Sequence, residues 1–381
     1  LPHYLLDSLF LVVKRQERAP FSGRHSAIPV PSCLGRDRIG RTARIVCHCV
    51  LMRTRAVIWR LLTGVALVVA GLVAGSVASI AGAAQQVTAD DGATVVGQTT
   101  VAPRTLDLTI QSPALGRTAK TRLLLPPDWD ARPYNRWPVL YLLHGCCDDY
   151  TSWTRQTDVA ALTAGTDVLV VMPEAGPDGY YSNWLSGPAW ETFHTVELRQ
   201  LLERGYRAGQ RRAIAGLSMG GLGAFDYSAR HPGMFQAAAS YSGALDTTLD
   251  QEAINQVTSV VTSNGHDPNA LWGDPTKQPL VWAAHNPLDL AFALRGTRLF
   301  VAAGNGQPGP LDPPGTGFNE SEALHGAETS ALVDRLRLLH IPATIDLYGP
   351  GTHSWPYWQR ELHTSFPMLM AAIGAVSGGG V

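Results

Sequence analysis

Gly216-Leu217-Ser218-Met219-Gly220 carries a glycine two places before and two places after a serine. That spacing suits a sharp turn from a strand into a helix, which presents the serine hydroxyl at the edge of a sheet. The apolar run ending at Leu217 precedes the turn, and a helical pattern from Gly220 to Arg230 follows it. The chemistry such a serine can do is nucleophilic attack on an acyl carbonyl. Its hydroxyl is too weak an acid at neutral pH to do so without a base.

In this arrangement the base comes late in the chain. Late histidines stand at 325, 340, 353 and 363. His340 and His363 lie in or beside helical patterns and read as surface or packing residues. His353 lies in Gly349-Pro350-Gly351-Thr352-His353-Ser354-Trp355, just past an expected strand at 343–348, so its loop can carry the imidazole over the sheet edge. A carboxylate must orient that imidazole. Asp312, Glu320, Glu322 and Glu328 all follow the expected strand at 299–303. Asp312 occupies a Pro/Gly-rich loop. The glutamates open a helix, where acids are favoured for structural reasons alone. The residues themselves leave this choice open. Two backbone N–H donors are needed for the developing oxyanion. Met219 supplies one by position, and Cys146, after His144-Gly145, is the candidate for the other.

Elements that would place these residues can be read from hydrophobic patterning. Residues 106–110 alternate like a strand, and 121–125 look like its hairpin partner. Runs at 139–143, 168–172, 212–217, 237–241 and 299–303 are apolar throughout, as central parallel strands are when helices cover both faces. Helical segments are expected near 155–164, 189–204, 219–231 and 320–340. The expected fold is an α/β-hydrolase domain over 104–376, with a mostly parallel sheet of about eight strands and helices on both faces.

The 381 residues carry a formal charge of −1, which conceals an asymmetry. Residues 1–60 hold 11 of the 30 basic and 3 of the 31 acidic side chains, leaving the remainder near −9. An acidic body argues against nucleic acid as partner. Residues 1–51 show no sustained period and read as a non-native upstream extension. From Met52, a basic stretch with Arg53, Arg55 and Arg60 leads into an apolar run at 61–80 and a small-residue cleavage site at Ala81-Gly82-Ala83. Residues 52–83 therefore read as a signal peptide, with 84–103 as a linker. Cleavage is expected rather than anchoring through 61–80, although that run is long enough to span a bilayer. Of five cysteines, Cys33, Cys47 and Cys49 precede Met52. Cys47-His48-Cys49 lacks a second ligand cluster, so no metal is expected. Cys146 and Cys147 are adjacent, which leaves a strained vicinal bridge as the alternative to the two free thiols expected.

From about residue 104 to 375 the chain resembles the antigen 85 mycolyltransferases and their wider esterase relatives, which are secreted by actinobacteria. The resemblance rests on Tyr141-Leu142-Leu143, Asp148-Asp149-Tyr150, Trp190-Glu191-Thr192-Phe193, Gly216-Leu217-Ser218-Met219, Leu271-Trp272-Gly273, Gly304-Asn305-Gly306 and Gly351-Thr352-His353-Ser354-Trp355-Pro356-Tyr357-Trp358. It implies a triad of Ser218, His353 and a glutamate. A gap-free count from Gly304-Asn305-Gly306 places that glutamate on Glu322. It also implies that Cys146 provides the second oxyanion N–H. The trehalose-handling members resemble Asp-Gly-Leu-Arg where this chain has His144-Gly145-Cys146-Cys147. The acid and arginine that grip the sugar are thus replaced, and His144 and Cys147 are expected to grip an acceptor less firmly. Trp355 and Trp358 fit either an acyl channel or ordinary packing.

The expected function is a secreted, monomeric serine acyl-ester hydrolase or acyltransferase working through an acyl-enzyme, with no cofactor or metal. Its substrate would be a small-molecule or lipid acyl ester, with water, a sugar or a glycerol-type alcohol as acceptor. A mycolyl- or diacylglycerol-type acyltransferase is the near alternative. A non-catalytic wall- or matrix-binding protein on the same scaffold is the alternative from another class, since fold alone does not fix function.

Overall fold

A computed structural model describes residues 87–375. The segments expected to be an upstream extension and a signal peptide, with Cys33, Cys47 and Cys49, lie outside the described residues.

Nine strands form one sheet. They are β1 (Thr94–Ala102), β2 (Thr105–Ser112), β3 (Arg117–Leu124), β4 (Trp137–Leu143), β5 (Leu169–Pro173), β6 (Ala208–Leu217), β7 (Ala237–Tyr241), β8 (Arg298–Gly304) and β9 (Ala343–Gly349). Their spatial order is β1-β2-β3-β5-β4-β6-β7-β8-β9. The first three strands pair antiparallel with one another and with β5, and every pairing from β5 to β9 is parallel. The mostly parallel sheet expected from the sequence is present, with one strand more.

The extra strand is β1, which lies within the expected linker. Its residues TVVGQTTVA are partly or fully exposed, so no buried face imposes an apolar alternation that could be read in advance. It is held by its ladder to β2, which bulges after Val95 and Thr100. The helix expected near 155–164 forms as two short pieces, Ser152–Gln156 and Val159–Leu162. Between them Thr157 is extended, and its N–H and hydroxyl both donate to the Trp153 carbonyl, closing the first piece.

Four longer helices matter for the site: α1 (Met219–Arg230), α2 (Gln251–Ser263), α3 (Glu320–Leu338) and α4 (Trp355–Ile373). Alternate residues of β4 face opposite layers, as strand geometry requires. Val139, Tyr141 and Leu143 join Leu222 and Phe225 of α1 and Leu332 and Leu336 of α3. Leu140 and Leu142 join Trp153 together with Trp358, Leu362 and Leu369 of α4. Each fully buried aliphatic side chain contributes roughly 1.5–3 kcal/mol. Burial on both faces therefore fixes the strands whose C-terminal ends carry the site.

Candidate active site

Ser218 sits between β6 and α1 with φ 52° and ψ −123°. An L-residue held there stores about 1–3 kcal/mol of strain. The glycines around it make the turn feasible. A Cβ on Gly216 would lie 2.1 Å from Gly220 O, and one on Gly220 would lie 2.5 Å from Leu143 O. One on Gly221 would lie 2.8 Å from Gly243 Cα. The elbow is thus wedged against the ends of β4 and β7, where only glycine fits. Ser218 itself is half-buried.

His353 lies on the loop between β9 and α4. Its Nδ1 is 2.7 Å from Glu322 Oε2, and the ring is 16% exposed while the carboxylate is fully buried. Glu322 Oε1 accepts from the Gly304 N–H at 2.6 Å, the Ser242 hydroxyl at 2.8 Å and the Tyr348 hydroxyl at 3.1 Å. An ionised carboxylate accepts all four bonds, so His353 donates from Nδ1 and its Nε2 keeps a lone pair. Burial works to raise the Glu322 carboxyl, but the His353 hydrogen bond and charge and the Gly304 amide outweigh it, and the group lies below the usual glutamate value. Burial lowers the His353 imidazole below its ordinary value, against the opposing pull of Glu322. Ser218 Oγ forms no hydrogen bond among the described residues. Serine–histidine contacts are often long before substrate binds.

The other acid candidates are engaged elsewhere. Asp312 accepts from Gly309 N–H and the Tyr357 hydroxyl, both at 2.8 Å, and from the Thr352 hydroxyl. It braces the histidine loop without reaching the ring. Glu328 pairs with His325 at 3.0 Å, and Glu320 is exposed on the first turn of α3. Among the other late histidines, His340 is exposed and His363 pairs with Asp158 at 2.8 Å.

Gly145 brings the loop after β4 against the serine: a Cβ there would lie 3.3 Å from Ser218 Cβ. Within this loop the Cys147 N–H donates to Pro177 O at 2.8 Å, whereas the Cys146 N–H has no acceptor among the described residues. Met219 opens α1, so its N–H has no intrahelical partner. His144 is turned inward and buried. Its Nδ1 is 2.7 Å from Gly145 O and its Nε2 lies 3.0 Å from the Ala175 amide nitrogen. It holds the loop from behind, so the acceptor grip expected of it is absent.

Several neighbours of the site carry no motif. Ser242, at the end of β7 with φ 48°, joins Glu322 to Trp358, whose indole N–H donates to the serine hydroxyl at 3.1 Å. Trp358 stands edge-on to His353 with ring centroids 4.8 Å apart, and Trp355 packs edge-on to Trp153 and Trp358, each with centroids 5.3 Å apart. These indoles pack the histidine loop. The His325 ring lies 5.0 Å from the His353 ring.

The model of the family described as putative esterases matches residues 112–369. The chain belongs to that family. Within it, the chain is 32% identical to the diacylglycerol acyltransferase/mycolyltransferase Ag85B of Mycobacterium intracellulare, over 65% of this chain and 78% of that protein. It is 34% identical to an esterase of Mycobacterium tuberculosis over 59% of this chain, a match spanning half of that protein. The crystal structure of Mycobacterium tuberculosis MPT51 superposes with a TM-score of 0.57 at 26% identity, over 69% of this chain and 96% of that one. The protein is an enzyme of the esterase and acyltransferase class, acting on ester substrates.

Proposed function

We propose that the protein is a secreted serine ester hydrolase working through an acyl-enzyme, with Ser218 as nucleophile, His353 as general base and Glu322 as its orienting acid. The observation that carries this reading is the 2.7 Å bond from His353 Nδ1, on the loop between β9 and α4, to the fully buried Glu322 on the first turn of α3. With Nδ1 protonated, Nε2 accepts the Ser218 proton as Oγ attacks the ester carbonyl. The resulting oxyanion takes the free N–H groups of Met219 and Cys146. His353 then returns the proton to the leaving alcohol. The same base activates the group that releases the acyl chain.

Water is the acceptor this site favours. A transferase must compete with water at about 55 M, which requires fixed partners for the acceptor's hydroxyls. The side chain at 144 points inward and provides none. Acyl transfer to an alcohol is the second reading, favoured by the identity to Ag85B. The substrate is a small-molecule or lipid acyl ester.

Ser218→Ala should abolish fluorophosphonate labelling of the chain and lower kcat/KM on a p-nitrophenyl ester by roughly 10⁴ or more. Persistent labelling would assign the nucleophile to another residue. In the same assay, new ester exceeding free acid with about 10 mM glycerol or trehalose present would make the enzyme a transferase. Export predicts a mature N-terminus near Ala83-Ala84, readable by mass spectrometry, and an exported chain beginning before residue 60 would refute it.

A further inference from the structure

Cys146 and Cys147 adjoin the serine elbow, and the chemistry proposed above uses neither thiol. Successive side chains of an extended chain point to opposite sides. Here they do not. Cys147 adopts a left-handed φ of 63°, which few non-glycine residues tolerate, and this turns both sulfurs to one side. The Sγ atoms are in direct non-bonded contact at 2.8 Å, so a short approach would reach the disulfide bond length of about 2.05 Å. Both cysteines are free; Cys147 is exposed and Cys146 half-buried. Asn264 at the end of α2 directs its amide toward the Cys147 sulfur at 3.9 Å.

We propose that Cys146 and Cys147 form a site of reversible oxidation by peroxides, closing a vicinal disulfide that withdraws the Cys146 N–H from the oxyanion and silences the enzyme. The inference rests on the reading of that N–H given above. The exposed Cys147 thiolate attacks one peroxide oxygen, breaking the O–O bond; with one proton taken up, this yields the sulfenic acid and water. The Cys146 sulfur then attacks the sulfenyl sulfur. The S–O bond breaks, and the hydroxyl leaves as water with the Cys146 proton. Two thiols and one hydrogen peroxide thus become one disulfide and two waters. The order of attack follows from the surroundings: burial pushes the Cys146 thiol up to about 12, with the Cys147 sulfur adding to the shift, so Cys146 does not act first.

Closure makes an eight-membered ring containing the 146–147 peptide. Because the Cys147 N–H is tied to Pro177 O, the movement falls on the Cys146 side. The Cys146 amide has no bond of its own to resist it. A ring this small is strained, and strained exposed disulfides are those that thiol reductants reopen.

The test uses the full-length chain exposed to hydrogen peroxide, followed by alkylation, peptide mapping and a p-nitrophenyl butyrate assay. The expected result is a 146–147 peptide two hydrogens lighter and closed to alkylation. The accompanying kcat/KM should fall by roughly 10²-fold, as for loss of one oxyanion donor, and return with dithiothreitol. Cys147→Ser should keep its activity through the same treatment. That variant retains Cys33, Cys47 and Cys49, so inactivation through those thiols would appear in it too. The proposal is overturned if both thiols remain open to alkylation, if the bridged enzyme keeps its kcat/KM, or if Cys147→Ser is inactivated equally. Fluorophosphonate labelling of Ser218 in the reduced enzyme, run in parallel, reports separately on the nucleophile.

Discussion

Glu322 and Asp312 are both carboxylates near the histidine loop, yet they differ in what they can do to His353. Glu322 bonds Nδ1 directly, while Asp312 bonds Thr352, Tyr357 and Gly309. Glu322→Gln should lower kcat by about 10⁴, because an amide no longer enforces the tautomer that leaves Nε2 free. Asp312→Asn should keep kcat within severalfold and cost about 1 kcal/mol of stability, the scale of a weakened hydrogen bond. The reverse order in steady-state kinetics and urea melts would give Asp312 the orienting role. The two variants also differ in pH dependence. A base must be neutral to act, and burial lowers the His353 imidazole, so the acid limb of kcat/KM should fall below the ordinary histidine value of about 6.5. Glu322 opposes that lowering. Its replacement should move the remaining limb to lower pH while the plateau drops, and Asp312→Asn should leave the limb in place.

At the scale of elements, the serine turn depends on space as well as spacing. A Cβ on Gly220 would fall 2.5 Å from Leu143 O and 2.6 Å from His144 O, both backbone atoms at the end of β4. Gly220→Ala must push α1 away from β4 and open the gap between the two candidate N–H donors. It should destabilise the fold by about 2 kcal/mol or more, and kcat should fall further than that loss of folded protein explains. Unchanged melting and kcat would mean that the turn relaxes freely. This dependence explains what was legible in the sequence. The parallel strands are apolar throughout because both faces are buried, and the elbow needs glycines at fixed places, so both left a pattern. The ladder of β1 to β2 is made of backbone bonds and left none. The residues alone kept four acids open, because Asp312 and Glu322 both adjoin the histidine loop in space, and only the resemblance singled out Glu322. Ser242 was missed because its hydroxyl acts on Glu322, a helix residue 80 positions away in sequence. His144 was misplaced because its position in the motif says nothing of which way its ring turns.

The behaviour of the whole molecule with pH depends on a carboxyl far from the serine motif in sequence, on the helix that closes one layer. Glu361 on α4 is buried, with Oε1 accepting the Arg360 Nε–H at 2.6 Å and Oε2 without a partner among the described residues. Burial pushes its pKa up to about 7; the Arg360 bond works against this and the charge of Asp346 adds to it. The folded value is therefore above the unfolded one. A group of this kind favours the folded state fully below the unfolded value, and that contribution is lost as pH rises through the folded value. Between about pH 4.5 and 7, Glu361 should withdraw at most about 3 kcal/mol. Glu361→Gln cannot titrate. Its amide leaves a buried polar group imperfectly bonded, so it should be no more stable than wild type near pH 4.5. By pH 8 the balance should favour the variant, shifting its relative melting temperature upward by several degrees, at about 2 °C per kcal/mol for a domain of this size. The measurement is Tm against pH for both proteins from pH 4.5 to 8, and the quantity that decides is the difference between the two curves. Parallel curves would mean that Glu361 ionises at an ordinary value in the folded protein. A difference that grows steadily through neutral pH would place the cost of a buried carboxylate behind the sheet, in the same helix that packs Trp358 against His353.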